Sequence, residues 1–266
     1  MQILIGFALG ILVGYAAYRL GALDTSGAVS AAFIGGLVFG FGGIPSATLL
    51  LIFFVSSSLL SRVDSHRKKS LNEKFAKGSR RDYGQVLANG GLAAVLVLVY
   101  WLTPDRVELW IAYAGCMAAV NADTWATELG VLSPTSPRLI TNGSVVTKGT
   151  SGGVTLVGYL ASLAGAGIIG IAAAMFTAAL PVGTLILIII LAGLTGATVD
   201  SILGATVQGI YYCPSCDKET ESHPEHHCGA ETMQLRGWRW LNNDLVNLVC
   251  SLVGAGTALG GWLLFS

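Results

Sequence analysis

Charge is scarce in this chain. Of 266 residues, 15 are Lys or Arg and 15 are Asp or Glu, so charged residues make up 11% of the sequence, against roughly 25% in an ordinary soluble domain. Hydrophobic residues reach 53% and mean hydropathy is +0.67, too much apolar bulk for so few charges to keep in water. A soluble globular fold is thereby excluded in favour of a polytopic membrane protein. Other signals are missing too. No A-x-A-like cleavage pattern follows the first apolar run, which is therefore expected to be a retained span and not a signal peptide. No G-x-x-x-x-G-K-[ST] loop occurs. A single short basic patch beside lipid is a poor footprint for nucleic acid, so no nucleic-acid partner is expected.

Apolar runs long enough to cross a bilayer lie at about 2–20, 28–44, 46–61, 86–103, 107–128, 152–175, 181–206 and 243–265. The second and third are short and share the break GFGGIPS, which suits a tight hairpin or a broken pair of half-helices, so the expectation is seven or eight spans. The fold class implied is an all-α integral membrane bundle, one polytopic domain over 1–266. Its 35 glycines suggest close helix–helix approach in lipid. Trp101, Trp110, Trp125, Trp238, Trp240 and Trp262 mostly fall near span ends, as interfacial anchors do.

Local sign sets orientation. The loop 62–82 carries eight Lys or Arg against three Asp or Glu, which places it on the cytoplasmic side. With eight spans, the loops 129–151 and 207–242 then also face the cytoplasm, and the short turns face outward. The plasma membrane of a prokaryote is the expected location.

This topology gathers the polar residues. At the cytoplasmic ends of spans lie Asn89; Asn121, Asp123, Thr124, Thr127 and Glu128; Lys148, Thr150 and Ser151; Asp200, Ser201, Thr206 and Gln208; and Asn242, Asn243, Asp244 and Asn247. Ionisable groups at membrane depth are costly and mark functional sites. Thr124 and Glu128 stand four apart, as do Asp123 and Thr127, so each pair shares a helix face. Asp200, Gly204 and Gln208 repeat at the same spacing and read as one stripe. Carboxylates facing an aqueous vestibule suit Mg2+, a hard cation that keeps waters and bridges to phosphates. Asp123, Asp200 and Asp244 are the candidate ligands. Helix capping is the competing role for Asp244, and a headgroup-level position for Glu128.

In TKGTSGGVT, residues 147–155, Gly149, Gly152 and Gly153 expose backbone donors just before an expected helix N-terminus, where anions are favoured. Lys148 adds positive charge; Thr150 and Ser151 add hydroxyls. The competing reading is a tight loop whose glycines serve packing. A metal clamp beside an anion nest at a membrane surface suggests phosphoryl or nucleotidyl transfer to a lipid phosphate. No hydrolytic arrangement of His, Cys or Ser lies near these clusters, and none is needed, because a phosphate oxygen is already anionic at neutral pH. Asp123, Lys148 and Asp200 are the candidate catalytic residues, and the remaining polar and glycine positions are candidate nucleotide or substrate contacts.

A third feature is YYCPSCDKETESHPEHHCG, residues 211–229. Cys213 and Cys216 form a C-x2-C knuckle that His226 and Cys228 complete as a Cys3His zinc set, with His223 and His227 as rival fourth ligands. A metal-free polar loop and a redox pair are the alternatives. Four protein ligands would leave no open position, so the metal expected is structural. Cys116 and Cys250 lie inside apolar runs and read as small hydrophobes.

The segments NADTWATELG at 121–130, KGTSGG at 148–153, DSILGATVQ at 200–208 and LNNDLVN at 241–247 together resemble the DUF92 integral membrane family. That family includes the transmembrane protein 19 group and the phytyl-phosphate kinases of tocopherol synthesis, and the resemblance spans nearly the entire chain. It implies a CTP-dependent kinase that converts a prenyl phosphate, such as phytyl or geranylgeranyl phosphate, to its diphosphate, with Mg2+ and with CTP as co-substrate. Asp123, Asp200 and Asp244 would then serve metal or nucleotide, and Lys148 with Gly149, Gly152 and Gly153 the phosphates. The Cys/His insertion before LNND departs from the plant-type enzymes. Attack on the alpha instead of the gamma phosphorus would make a CDP-lipid, so a cytidylyltransferase stays open, as does a transporter without nucleotide chemistry. Prenyl length and oligomeric state are not readable from the sequence.

Overall fold

The computed structural model describes residues 1–63 and 80–266. Most of the basic segment 62–82 thus lies outside the described residues. Among the described residues, seven helical runs follow in chain order: α1 (Gln2–Arg19), α2 (Thr25–Leu60), α3 (Tyr83–Leu102), α4 (Val107–Gly130), α5 (Leu156–Ala174), α6 (Val182–Thr206) and α7 (Asn243–Phe265). Short strands occupy two connections. β1 (Arg138–Leu139) pairs antiparallel with β2 (Gly153–Val154). Between α6 and α7, β3 (Ile210–Cys213) is the central strand of a three-stranded antiparallel sheet with β4 (Lys218–Thr220) and β5 (Met233–Arg236) on its flanks.

The run α2 is too long for one crossing, since 36 residues would extend about 54 Å at 1.5 Å per residue. It reverses at Gly43, whose φ of 62° and ψ of −159° interrupt the helical path just before Pro45. A positive φ of this kind is open to glycine at little cost. The two arms return to the same level: the guanidinium of Arg62 donates to the carbonyl of Leu20 at 2.8 Å, just ahead of the start of the first arm. The GFGGIPS break is therefore a hairpin. On α1, the buried glycines Gly6, Gly10 and Gly14 face the first arm of α2. A methyl at Gly10 would come within 2.5 Å of the Ala32 carbonyl, so only glycine permits this approach.

Six of the runs are long and apolar enough to cross a membrane: α1, α2, α3, α5, α6 and α7. The exception, α4, is the axis of the bundle. It packs against α2, α3, α5, α6 and α7, and every residue from Trp110 to Ala122 is buried. Small residues dominate that stretch, which is why it is less apolar than its neighbours yet more enclosed. Trp110 and Trp125 are correspondingly not interfacial anchors. Trp110 is buried and stacks on Tyr113, and Trp125 turns inward to donate to the Ser56 hydroxyl at 3.0 Å. Trp101, Trp238 and Trp240 are exposed.

Helix starts follow local caps. Asp24 accepts from the Gly27 amide at 2.7 Å, Asp82 and Gln85 form a reciprocal capping box, and Thr155 accepts from the Gly158 amide at 3.0 Å. The last of these shifts a boundary. The sixth apolar run was expected to begin at 152, but Thr155 is the cap and α5 starts at Leu156, leaving Gly152 and Gly153 in extended and turn backbone.

Candidate functional site

One end of the bundle collects the C-terminus of α4, the N-terminus of α5, the C-terminus of α6, the N-terminus of α7 and both ends of the α2 hairpin. They surround a cavity of ≈ 1130 Å³. Its wall includes Asn89, Asp123, Thr124, Thr127, Glu128, Lys148, Gly149, Thr150, Ser151, Gly152, Gly153, Asp200, Ser201, Asn242, Asn243, Asp244 and Asn247. Residues from five separate stretches of sequence thus meet at one place.

Three of the polar residues expected there, Asn121, Gln208 and Thr206, do not line it. Asn121 is fully buried behind the wall, where its side chain accepts from the Ser56 hydroxyl at 3.2 Å and donates to the Gly165 carbonyl at 2.7 Å. It ties α2, α4 and α5 together. Gln208 lies past the end of α6, so it does not continue the stripe of Asp200 and Gly204. It accepts from the Ser151 hydroxyl at 2.9 Å and donates to Glu221 at 2.9 Å, bridging the glycine loop to the sheet of β3–β5. Thr206 is exposed and bonds back to the Ile202 carbonyl within α6. Asn242 lines the cavity and also caps α7, accepting from the Leu245 amide at 3.1 Å. Replacing Gln208 with Leu removes both bridging bonds inside a buried region. The expected cost is about 1–3 kcal/mol, read as a lower melting temperature in detergent; an unchanged melt would show that the bridge carries no weight.

The glycine loop is held in place by its own backbone. Gly149 and Gly152 have φ values of 78° and 81°, and the Ile140 amide donates to the Gly152 carbonyl at 3.0 Å. Gly152 lies against Ala205 of α6, so the loop is docked on the helix that carries Asp200. Lys148 lines the cavity and donates to the Ser133 carbonyl at 2.5 Å. Glu128 lines the cavity and accepts from the Ser61 hydroxyl at 2.6 Å.

The electrostatics are lopsided. Six carboxylates line the cavity (Asp123, Glu128, Asp200, Glu221, Glu225 and Asp244) against four Lys or Arg (Arg62, Arg81, Lys148 and Arg239). Asp200 shares the cavity wall with Asp123 and Glu221. Its Oδ2 is buried with no hydrogen-bond partner, an arrangement that costs free energy unless something else supplies the compensation. Among the described residues these acids are not drawn into a tight ligand group as the cysteines are. Carboxylates on facing walls nevertheless suit Mg2+, which needs only one or two of them beside waters and phosphate oxygens.

The Cys/His loop forms part of the cavity's rim. The ligand atoms of Cys213, Cys216, His226 and Cys228 all lie within 4.8 Å of one another. Cys213 and Cys228 sulfurs are 3.6 Å apart, and His226 Nδ1 is 3.6 Å from Cys216 and 3.2 Å from Cys228. A zinc tetrahedron with sulfur at about 2.3 Å has sulfur–sulfur edges of about 3.8 Å, so the set fits a structural metal through Nδ1. His223 is instead stacked on Tyr211, ring centroids 4.3 Å apart, and His227 sits beside the His226 ring. The Ala230 backbone amide, then Cys216, hold the Cys228 thiol below its ordinary pKa, while its bond with Cys228 pushes Cys216 up to about 11. The module is anchored by Arg236, which donates to the Gly204 and Ala205 carbonyls at 3.0 and 2.7 Å and so caps the end of α6.

Sequence reasoning missed Arg81, Gln85, Tyr159, Tyr211, Glu221 and Ser222, all of which line the cavity. Gln85 belonged to a visible capping box and Arg81 to the basic loop. The others carried no local signal.

These features define a polytopic helical membrane protein with a polar cavity at one face and a Cys3His metal-binding module at its rim. The chain belongs to the family described as integral membrane protein DUF92, whose model matches residues 8–255. It is similar to Protein PGR of Arabidopsis thaliana, with 36% identity over 91% of this chain and 90% of that protein. It is also similar to an uncharacterized membrane protein of Methanocaldococcus jannaschii, at 32% identity over 87% of this chain and 82% of the relative. A membrane protein of Synechocystis is 25% identical over 80% of this chain and 72% of its own length. No solved structure matches the chain.

Proposed function

We propose that the protein is a CTP-dependent prenyl-phosphate kinase, working at the cytoplasmic face on phytyl, geranylgeranyl or a related prenyl phosphate. The observation that carries this reading is the shared cavity: Asp123, Asp200 and Asp244 and the loop of Lys148–Gly153 line one space at one end of the bundle. An acidic cavity repels a nucleotide by itself. Mg2+, when bound, would neutralise the carboxylates and the phosphates together. Asp123 and Asp200 are the residues that would hold it, and Asp244 completes the set. Lys148 and the glycine-loop amides would steady phosphate oxygens as they gain charge.

An oxygen of the lipid phosphate attacks the gamma phosphorus, the beta–gamma bridging bond breaks, and CDP leaves with that electron pair. No protein nucleophile or proton transfer is needed, so positioning and charge neutralisation supply the catalysis. CTP, the nucleotide that the resemblance to the phytyl-phosphate kinases implies, is the one to assay first.

Thin-layer analysis of lipid products with separately labelled CTP tests this reading. Gamma label in the lipid is the expected result. Alpha label in the lipid would mean a CDP-lipid synthase, and no label from either position would reject nucleotide chemistry. Lys148→Ala should raise the KM for CTP or lower turnover by about tenfold or more; unchanged kinetics would reduce this lysine to a topology charge.

A further inference from the structure

The polar cavity extends toward the seam between α5 and α6, where Gly158, Tyr159 and Ser162 line it from one helix and Ala197, Asp200 and Ser201 from the other. Tyr159 stands where two surfaces meet. It lines the cavity, yet it is exposed and flanks the stripe of Leu156, Leu160 and Leu163, which follow at i, i+4 and i+7 and are all exposed. Both helices are long and apolar enough to cross a membrane, so this apolar stripe faces lipid. On α6 the exposed residues Leu191, Thr195 and Ile202 form a second such stripe, and Thr198 falls within it.

Small residues close the seam at two levels. In mid-span Gly193 lies against Ala166, and at the polar end Gly152 of the glycine loop lies against Ala205. From Gly193 to Ala205 is about 18 Å of α6 at the helical rise. Between those levels the Tyr159 side chain reaches across, its hydroxyl 3.4 Å from that of Thr198. Paired hydroxyls ordinarily approach to about 2.7–2.8 Å, so this contact costs little to break. Ser162 and Ser201, one turn along from Tyr159 and Thr198, line the cavity. The Tyr159–Thr198 contact thus joins the two lipid-facing stripes where the polar chamber comes nearest to them.

A lipid phosphate has two ends of opposite preference. Its charged head belongs in the polar chamber, while its hydrocarbon chain gains nothing by leaving the bilayer. A side opening serves both ends and asks for no enclosed apolar tunnel. We propose that the α5–α6 seam is the portal for a membrane lipid phosphate: the head passes Tyr159 into the cavity, and the chain stays in the bilayer along Leu156, Leu160 and Leu163. The proposal rests on the lipid-phosphate reading of the cavity and adds where that substrate enters. Tyr159 acts here as a positioning residue.

The test uses the full chain in nanodiscs with a geranylgeranyl phosphate carrying a diazirine on the isoprene unit next to the phosphate. Label within residues 156–163 and 191–202, competed away by unlabelled geranylgeranyl phosphate, is the expected result. Competable label confined to other helices, or none at all, would overturn the proposal. Thr198→Trp fills the seam from its lipid side. It should raise the KM for the lipid phosphate about tenfold, cut competable labelling to a similar degree and leave the KM for CTP within about twofold; undiminished labelling, or equal rises in both KM values, would overturn the portal. Leu187→Trp, on the same stripe beyond the Gly193 contact, should change neither reading, and a loss equal to that of Thr198→Trp would show that the seam is not responsible. Competable label at the seam without CTP turnover would reject the kinase and leave the portal standing. CTP turnover with label elsewhere would do the reverse.

Discussion

Asp200→Asn is expected to lower Mg2+-dependent turnover by roughly 10²–10³-fold while membrane insertion and melting temperature stay unchanged or rise. The two halves of this expectation have one cause. Asp200 Oδ2 is buried without a hydrogen-bond partner, so its negative charge gives the fold little in return for being there. Removing that charge takes away what a cation and the nucleotide phosphates need and relieves a cost the fold carries. A structural acid would behave in the opposite way, losing stability along with activity. Asp123→Asn should follow the same pattern, since Asp123 lines the same cavity. Near-normal turnover in either variant would remove that residue from the metal assignment.

Cys216→Ser is expected to lose the metal and, with it, most of the activity. Purified wild-type protein should carry about one zinc per chain, the stoichiometry of a closed Cys3His site. Metal binding supplies folding free energy to small modules of this kind, and here the module does not stand alone. Glu221, between β4 and His226, joins Gln208, which joins Ser151 of the glycine loop. Arg236 of β5 fastens the sheet to the end of α6. Loss of the metal should therefore reach the phosphate loop through bonds already in place. Elemental analysis, the melting temperature and the KM for CTP give three separate readings. A metal-free preparation with full activity would refute the structural role.

The parts of this architecture that were legible in the sequence are those written in local spacing. Apolar runs marked the helices. The C-x2-C knuckle with His226 and Cys228 named the four ligands that come together. The rule that long basic loops share one side brings Asn89, Asp123, Lys148, Asp200 and Asp244 to a common face, and all five line one cavity. What stayed hidden depends on partners far along the chain. Asn121 and Gln208 are polar, as a ligand contact should be, yet both are spent on bonds between elements: Asn121 reaches Ser56 and Gly165, and Gln208 reaches Ser151 and Glu221. Composition cannot tell a buried amide that fastens helices from one that greets a ligand. The glycines also do not sit at a helix N-terminus, because Thr155 moves the start of α5 past them and leaves Gly149 and Gly152 in turns before β2 and Gly153 in β2 itself. Tyr211, Glu221 and Ser222 join the cavity only because β3 folds against β4 and β5 beside the end of α6, which no spacing within 210–236 announces.

The most direct measurement is the position of a metal ion in the protein crystallised with Mn2+ and a non-hydrolysable CTP analogue. The account predicts an anomalous peak between the side chains of Asp123 and Asp200, with the triphosphate running toward Gly149–Gly153. A nucleotide bound outside this cavity, or a cavity that stays empty at saturating Mn2+ and nucleotide, would contradict it.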